Sequence, residues 1–303
     1  DGYSRMTRGT PPGVFAMQSG PGAENAYAGV ATAYSDSVPM LLLPLGHPVN
    51  RDGVFPNFSS VRSYESIVKS VEQINELDRV GGALRRAFAR MKLGRPGPVM
   101  VEIPSDVANQ EVTSDLVETY IPSKRIISKA NDDDVLRAAK FLFQSKNPLI
   151  YAGQGILYAG ASEELTELAE LTNIPVTTTM AGKGGIDERH PLSLGSSSIV
   201  MNGAVRHYML NSDTVLAVGT SLTKHGMITT VPDGKKIIHA VNDTKDIGNY
   251  YDPEIGLLGD AKLVLKQLIE ACKDLMTSQD GRISPEGEIK HLKDAWLQDW
   301  GKK

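Results

Sequence analysis

Five continuous apolar runs constrain the fold more than any other feature: "MLLLPL", "GPVMVEIP", "NPLIYAG", "TVLAVG" and "KIIHAV". Each has the length of a strand and lacks polar alternation, the pattern of a strand covered on both faces. Between them stand segments whose apolar residues recur at helical spacing. Strands that alternate with helices read as βαβ units with parallel sheets. The fold class expected is therefore α/β, with two doubly wound parallel-sheet domains. A chain of 303 residues is long for a single hydrophobic core, which agrees with two.

The order of elements can be read from the same signals. Val14 to Gln18 is a short apolar strand. Ala23 to Tyr34 is helical, with Ala26, Gly29, Val30 and Ala33 on a face of small residues. Asn75 opens a helix carrying Leu77, Val80, Leu84, Ala87, Phe88 and Met91, and Gly94 stands where its C-terminal cap belongs. From Asn109 to Ala130 the periodicity lapses. Asn131 then caps a helix whose first turn is Asp132, Asp133 and Asp134, placing negative charge at the positive end of the helix dipole. Ser162 opens another helix, "IPVTTT" follows as a further buried strand, and Ala261 to Cys272 forms the last helix before the end of the domain. The expected division is a first domain over 1–112, a linker over 113–130, a second domain over 131–280 and a further linker over 281–303. Asp1 follows no initiator methionine, and Trp296 and Trp300 end the chain one helical turn apart. The chain thus reads as a piece of a longer protein.

Charge and cysteine content narrow the classes. A net charge of -4 supplies no electrostatic footprint for nucleic acid, so no nucleic-acid partner is expected. No apolar run is long enough to span a bilayer and no signal peptide is visible, which points to the cytoplasm and no membrane partner. Cys272 is the single cysteine and shares a helical face with Val264 and Leu268, so it reads as core. The six histidines show no metal-ligand spacing, and no metal ligand is assigned in this chain.

Open parallel sheets bind ligands at the carboxyl ends of their strands, where backbone amides and helix N-termini are exposed. Four groups of residues fall at such ends. The first is "SGPGAEN", with Gly20, Pro21, Gly22 and Asn25. The second is "AGQG", with Gly153 and Gly155. The third is "TTTMAGKGG", with Thr178, Thr179, Met180, Gly182 and Lys183, whose hydroxyls, glycines and ammonium suit a phosphate or a nucleotide. Asp243 and Asp260 make the fourth, placed to bind a ribose hydroxyl. Read singly, each turn is equally well a piece of loop architecture, and together they suggest a nucleotide-type site in the second domain. His47, at a strand end, reads either as a site residue or as a structural histidine.

The order of these motifs resembles the thiamine-diphosphate enzymes related to acetolactate synthase (acetohydroxyacid synthase). "SGPGAENAYAGVATAYSDSVPMLLLPLG" is similar to the family's pyrimidine-side stretch, and "GRPGPVMVEIPSDV" to the end of the same domain. "NPLIYAGQGILYAGASEELTELAELTNIPVTTTMAGKGGIDERHPLSLG" and "KIIHAVNDTKDIGNYYDPEIGLLGDAK" resemble its central domain. The resemblance implies thiamine diphosphate and Mg2+ as cofactors of the full-length parent, with Gly20, Pro21, Gly22 and Asn25 in the pyrimidine-side turn. It implies a carboligase or decarboxylase of 2-oxo acids that works as a homodimer or homotetramer. It implies no catalytic residue within this chain: the activating glutamate is expected upstream of Asp1, and the Gly-Asp-Gly metal motif in a further domain. The family's central domain binds FAD with an arginine after its Val-Gly turn, and here Thr220 and Ser221 follow Gly219. FAD, another adenine nucleotide or an empty site therefore stay open. So do an oxalyl-CoA decarboxylase-like or sulfoacetaldehyde acetyltransferase-like enzyme and a non-catalytic nucleotide-binding module.

Overall fold

In a computed structural model the chain divides into two units, Asp1–Ile126 and Ile127–Lys303, each with its own parallel sheet. The structure describes every residue except 114–119, 123, 125, 225, 227–229, 277–281 and 303. Parts of the expected linker over 113–130, and of the chain on both sides of position 280, therefore lie outside the described residues.

The first unit opens with helix α1 (Gly2–Met6), then β1 (Gly13–Met17), α2 (Pro21–Ser35), β2 (Met40–Gly46), α3 (Ser60–Tyr64), β3 (Val71–Gln73), α4 (Val80–Lys92), β4 (Val99–Pro104) and α5 (Ser105–Ala108). Its four strands stand in the order β1-β2-β4-β3, all parallel. Alternate residues of a strand face opposite sides of a sheet. Met40, Leu42 and Met100 bury one face in a cluster with Val30 and Ala33 of α2 and Tyr64 of α3. Leu41, Val99 and Val101 bury the other in a cluster with Ala83, Ala87 and Met91 of α4. Helices thus cover both faces, which is why "MLLLPL" and "VMVEIP" carry no polar alternation.

The expected opening of α4 at Asn75 differs from what forms. Leu77–Arg79 make a short 3-10 turn, and the α-helix starts at Val80. Gly81 and Gly82 in its first turn each cost about 1 kcal/mol relative to Ala, which weakens the start of the helix. The C-terminal end follows the expectation, with Gly94 at φ +63 just beyond the last turn.

The second unit runs α6 (Asp132–Gln144), β5 (Pro148–Ala152), α7 (Gly155–Ala159), α8 (Ser162–Thr172), β6 (Val176–Thr179), β7 (Ser193–Ser197), α9 (Gly203–Asn211), β8 (Thr214–Val218), β9 (Lys236–Val241), β10 (Ile255–Leu258), α10 (Ala261–Leu275) and α11 (Glu286–Trp300). Its six strands stand in the order β10-β9-β8-β5-β6-β7, again all parallel. One core joins strands and helices, with Leu149, Ile150, Leu216 and Ile238 packed with Leu142, Leu165 and Leu268. Cys272 belongs to that core, and burial pushes its thiol up to about 12. Asn131 caps α6 by accepting from the amides of Asp133 and Asp134. Among the described residues no helix is long and apolar enough to cross a membrane.

Candidate functional site

In the first unit the turn after β1 leads directly into α2. Gly20, the N-cap of α2, sits at φ +61, a shape in which a side chain is strained. A Cβ at Gly20 would meet nothing within 4 Å, so the turn is open on that side. At Gly22 the reverse holds, since a Cβ would come 2.8 Å from Cβ of Gln18. Pro21 fills the first helical position, where a missing N–H costs no helical hydrogen bond. Asn25, one turn into the helix, is exposed.

Two residues not anticipated from sequence hold this edge together. The Tyr64 hydroxyl donates to the carbonyl of Ala23, tying α3 to the first turn of α2. Burial, with the nearby Tyr27, pushes the Tyr64 phenol up to about 12, and the two rings meet edge to face. One turn earlier on α3, the Ser60 hydroxyl donates to Oε2 of Glu102, whose Oε1 accepts from Nε2 of Gln73 at 2.7 Å. Glu102 is 4% exposed. Burial holds its carboxyl above the ordinary range, against the Gln73 hydrogen bond and His47, which pull it down; Asp52 adds to the rise. Gly46 lies against this carboxyl, where a Cβ would come 2.9 Å from its Cδ. The signal was present in "VMVEIP": an acid inside a strand covered on both faces needs a partner. Nearby, Nε2 of His47 is buried without a hydrogen-bond partner.

In the second unit the glycines serve close backbone packing. A Cβ at Gly153 would lie 2.3 Å from the carbonyl oxygen of Gly219, and one at Gly155 would lie 2.7 Å from Cα of Gly219. A Cβ at Gly182 would lie 2.6 Å from the carbonyl oxygen of Ala152. The turns after β5, β6 and β8 are therefore stacked backbone on backbone at the point where the strand order reverses. Their amides are engaged as well: Gly153 N donates to Val218 O at 2.8 Å, and Gly155 N to Gly219 O at 2.9 Å.

The remaining residues predicted at this edge spread along it. The Thr178 hydroxyl bonds that of Ser196 at 2.9 Å, and the Thr179 hydroxyl accepts from Gly182 N at 3.0 Å. Met180 is 66% exposed. Lys183 reaches outward and pairs with Glu188 at 3.5 Å. Asp243 caps the 3-10 turn Thr244–Asp246 by accepting from Lys245 N, and Asp260 caps α10 by accepting from Lys262 N. His239, buried on β9, bonds the carbonyl of Thr220 at 2.8 Å, and burial pulls its pKa down. The glycine turns and Thr178, Thr179 and Gly182 thus come together in one packed edge. Asp243 and Asp260 each have a helix-capping role. Among the described residues no group of three His, Cys, Asp or Glu gathers as a metal site.

Comparison with known proteins bears on both units. Residues 1–68 match the thiamine pyrophosphate enzyme N-terminal TPP binding domain, and residues 135–268 the thiamine pyrophosphate enzyme central domain. The chain is 36% identical over 309 residues to a probable acetolactate synthase large subunit of Methanococcus aeolicus, a match covering 99% of this chain and 50% of that protein. It is 34% identical to the acetolactate synthase of Arthrospira platensis, covering 89% of this chain and 48% of that protein. The benzoylformate decarboxylase structure from Polynucleobacter necessarius superimposes with a TM-score of 0.75 at 19% identity, over 93% of this chain and 52% of that one. At that identity the likeness is one of fold. The chain spans about half the length of the curated relatives it matches.

Proposed function

The chain belongs to the thiamine pyrophosphate enzymes, whose N-terminal and central domains it carries, and we propose that it serves an acetolactate synthase-like carboligase or decarboxylase of 2-oxo acids. The observation that carries this reading is the turn from Gly20 to Asn25, at the carboxyl end of a parallel strand and within the matched N-terminal domain. Its geometry fits a flat ring laid against backbone: Gly20 presents no Cβ and has open space in front of it. Thiamine diphosphate, when bound, supplies the electron sink for breaking and making bonds at a carbonyl carbon.

The chain's own residues have a positioning task. Gly20 admits the ring to the backbone, Gly22 lets the turn close against Gln18, and Asn25 offers an amide one turn further on. Tyr64 fixes the first turn of α2 through Ala23, so the cradle keeps its shape without a ligand. Preorganisation of this kind lowers the ordering cost at binding. The described residues offer no cluster for Mg2+, and no step is assigned to it. The substrate class, a 2-oxo acid such as pyruvate, and assembly as a homodimer or homotetramer belong to the same proposal.

An adenine nucleotide, FAD included, is proposed at the edge formed by Gly153, Gly155, Thr178, Thr179, Met180, Gly182 and Lys183, with Asp243 and Asp260 nearer the far strands. The stacked turns and the pairing of Lys183 with Glu188 leave little positive charge for a pyrophosphate, so the hold on it is weak.

Gly22→Val tests the central reading in a protein carried to the full length of the acetolactate synthase relatives. A branched Cβ collides with Gln18 and displaces the turn. Calorimetric titration with thiamine diphosphate is expected to show loss of binding, with the circular dichroism spectrum retained. Unchanged affinity would reduce the Gly20–Asn25 turn to loop architecture.

A further inference from the structure

One face of α4 forms a groove of about 560 Å³, lined by Glu72 of β3, by Asp78 and Arg79 before the helix, and by Gly82, Arg86 and Arg90 along it. The spacing 79, 82, 86, 90 keeps these four positions on one side of the helix. Glu72 organises two of the guanidiniums. Its carboxylate accepts from Nε and Nη2 of Arg86 at 3.0 and 2.7 Å, and from Nη1 of Arg90 at 3.2 Å. A guanidinium carries five N–H donors, so both forks keep donors to spare.

The charge in the groove is not balanced. Three arginines face two carboxylates, an excess of one positive charge. Arg79 is also the N-cap residue of α4, and no acid stands in the first turn of that helix. The positive end of a helix dipole favours an anion, and here the sequence supplies a cation. Gly82 lets Arg86 lie close to the helix, since a Cβ there would come 3.2 Å from Nη1. Side-chain charge, the dipole and the preorganised forks therefore meet along one open groove whose two carboxylates, Glu72 and Asp78, leave one positive charge uncompensated. Forked guanidiniums match the oxygens of a phosphate. Asp78, on the same wall, suits a hydroxyl donor beside that phosphate.

We propose that this groove binds a phosphorylated, hydroxyl-bearing small molecule, with Arg79, Arg86 and Arg90 on the phosphate and Asp78 on a hydroxyl. The volume lies within the ordinary range for small-molecule sites, about 300–1,000 Å³. The site is separate from the Gly20–Asn25 turn and does not depend on the cofactor reading.

Isothermal titration calorimetry on the 303-residue chain at low salt tests it, with inorganic phosphate, ribose 5-phosphate and AMP as probes. Saturable binding is expected, tighter for the two hydroxyl-bearing probes than for inorganic phosphate, and weakening as salt rises. The two esters separate a sugar phosphate from a nucleotide as the natural class. Arg79→Ala, at an exposed position, is expected to weaken binding about ten- to a hundredfold, the scale of one charge-assisted hydrogen bond. Asp78→Asn should narrow the gap between ribose 5-phosphate and inorganic phosphate. Lys140→Ala, an exposed lysine of α6 in the second unit, should leave every affinity unchanged, which separates binding in this groove from general attraction to surface cations. No saturable heat at millimolar probe, or equal affinity in Arg79→Ala with an unchanged melting temperature, would overturn the proposal. Loss of binding in Lys140→Ala would do the same.

Discussion

Glu102 shows how one residue records its surroundings. On β4 it is enclosed by Ser60, Gln73 and the backbone of Gly46, with His47 and Asp52 the charged or titratable neighbours. Burial raises its folded pKa above the unfolded value, which is about 4.3. Stability held by the protonated carboxyl is therefore complete below the unfolded value and lost as pH rises through the folded one. Glu102→Gln keeps the shape and removes the titration. Thermal melts from pH 4.5 to 8 should show the variant gaining on the wild type as pH rises. A difference independent of pH would mean that Glu102 ionises like a surface carboxylate. The residue type was legible in "VMVEIP"; its partners were not, because they come from α3 and β3, 42 and 29 positions away in the chain.

Elements divide by whether their signal is local. The strands read from sequence include β2, β4, β5, β6, β8 and β9, which have neighbours on both edges in their sheets. Two strands escaped the reading, and each stands at the edge of its sheet: β3 with "VEQ" and β7 with "SLGSS". An edge strand is held by hydrogen bonds to one neighbour and needs no continuous apolar run. The caps behave the other way, since an Asx residue and its amide partner lie within three positions. Asp260 illustrates the point: its carboxylate receives Lys262 N at the start of α10, whose inner face includes Val264, Leu268 and Cys272. Asp260→Ala should cost about 0.5–2 kcal/mol of stability, measured by urea unfolding of the chain. No change would show that α10 is fixed by its packing alone and that Asp260 is kept for some other purpose.

At the scale of the molecule each sheet has a protected centre and weaker margins. β2 and β4 stand inside the first sheet, and β5 and β8 inside the second. Opening free energies rise from mobile margins towards buried central elements. Amide hydrogen exchange should find the slowest protons in β5 and β8 and in β2 and β4, and faster ones in β1, β3, β7 and β10. Edge amides in β3 or β7 as slow as those of β5 would contradict this ordering.

The sequence by itself determined the class of fold, the alternation of strand and helix, and the glycine turns that follow β1, β5 and β6. These depend on side-chain burial and backbone freedom within a few residues, and such information is local. The tertiary structure decided what each turn does. It left Gly20 facing open space, and it locked Gly153, Gly155 and Gly182 against neighbouring backbone. It also joined Tyr64 to Ala23, Glu102 to Ser60 and Gln73, and three arginines to one groove. Each of these relations pairs residues brought together only when strands distant in the chain lie side by side, which no short stretch of sequence encodes.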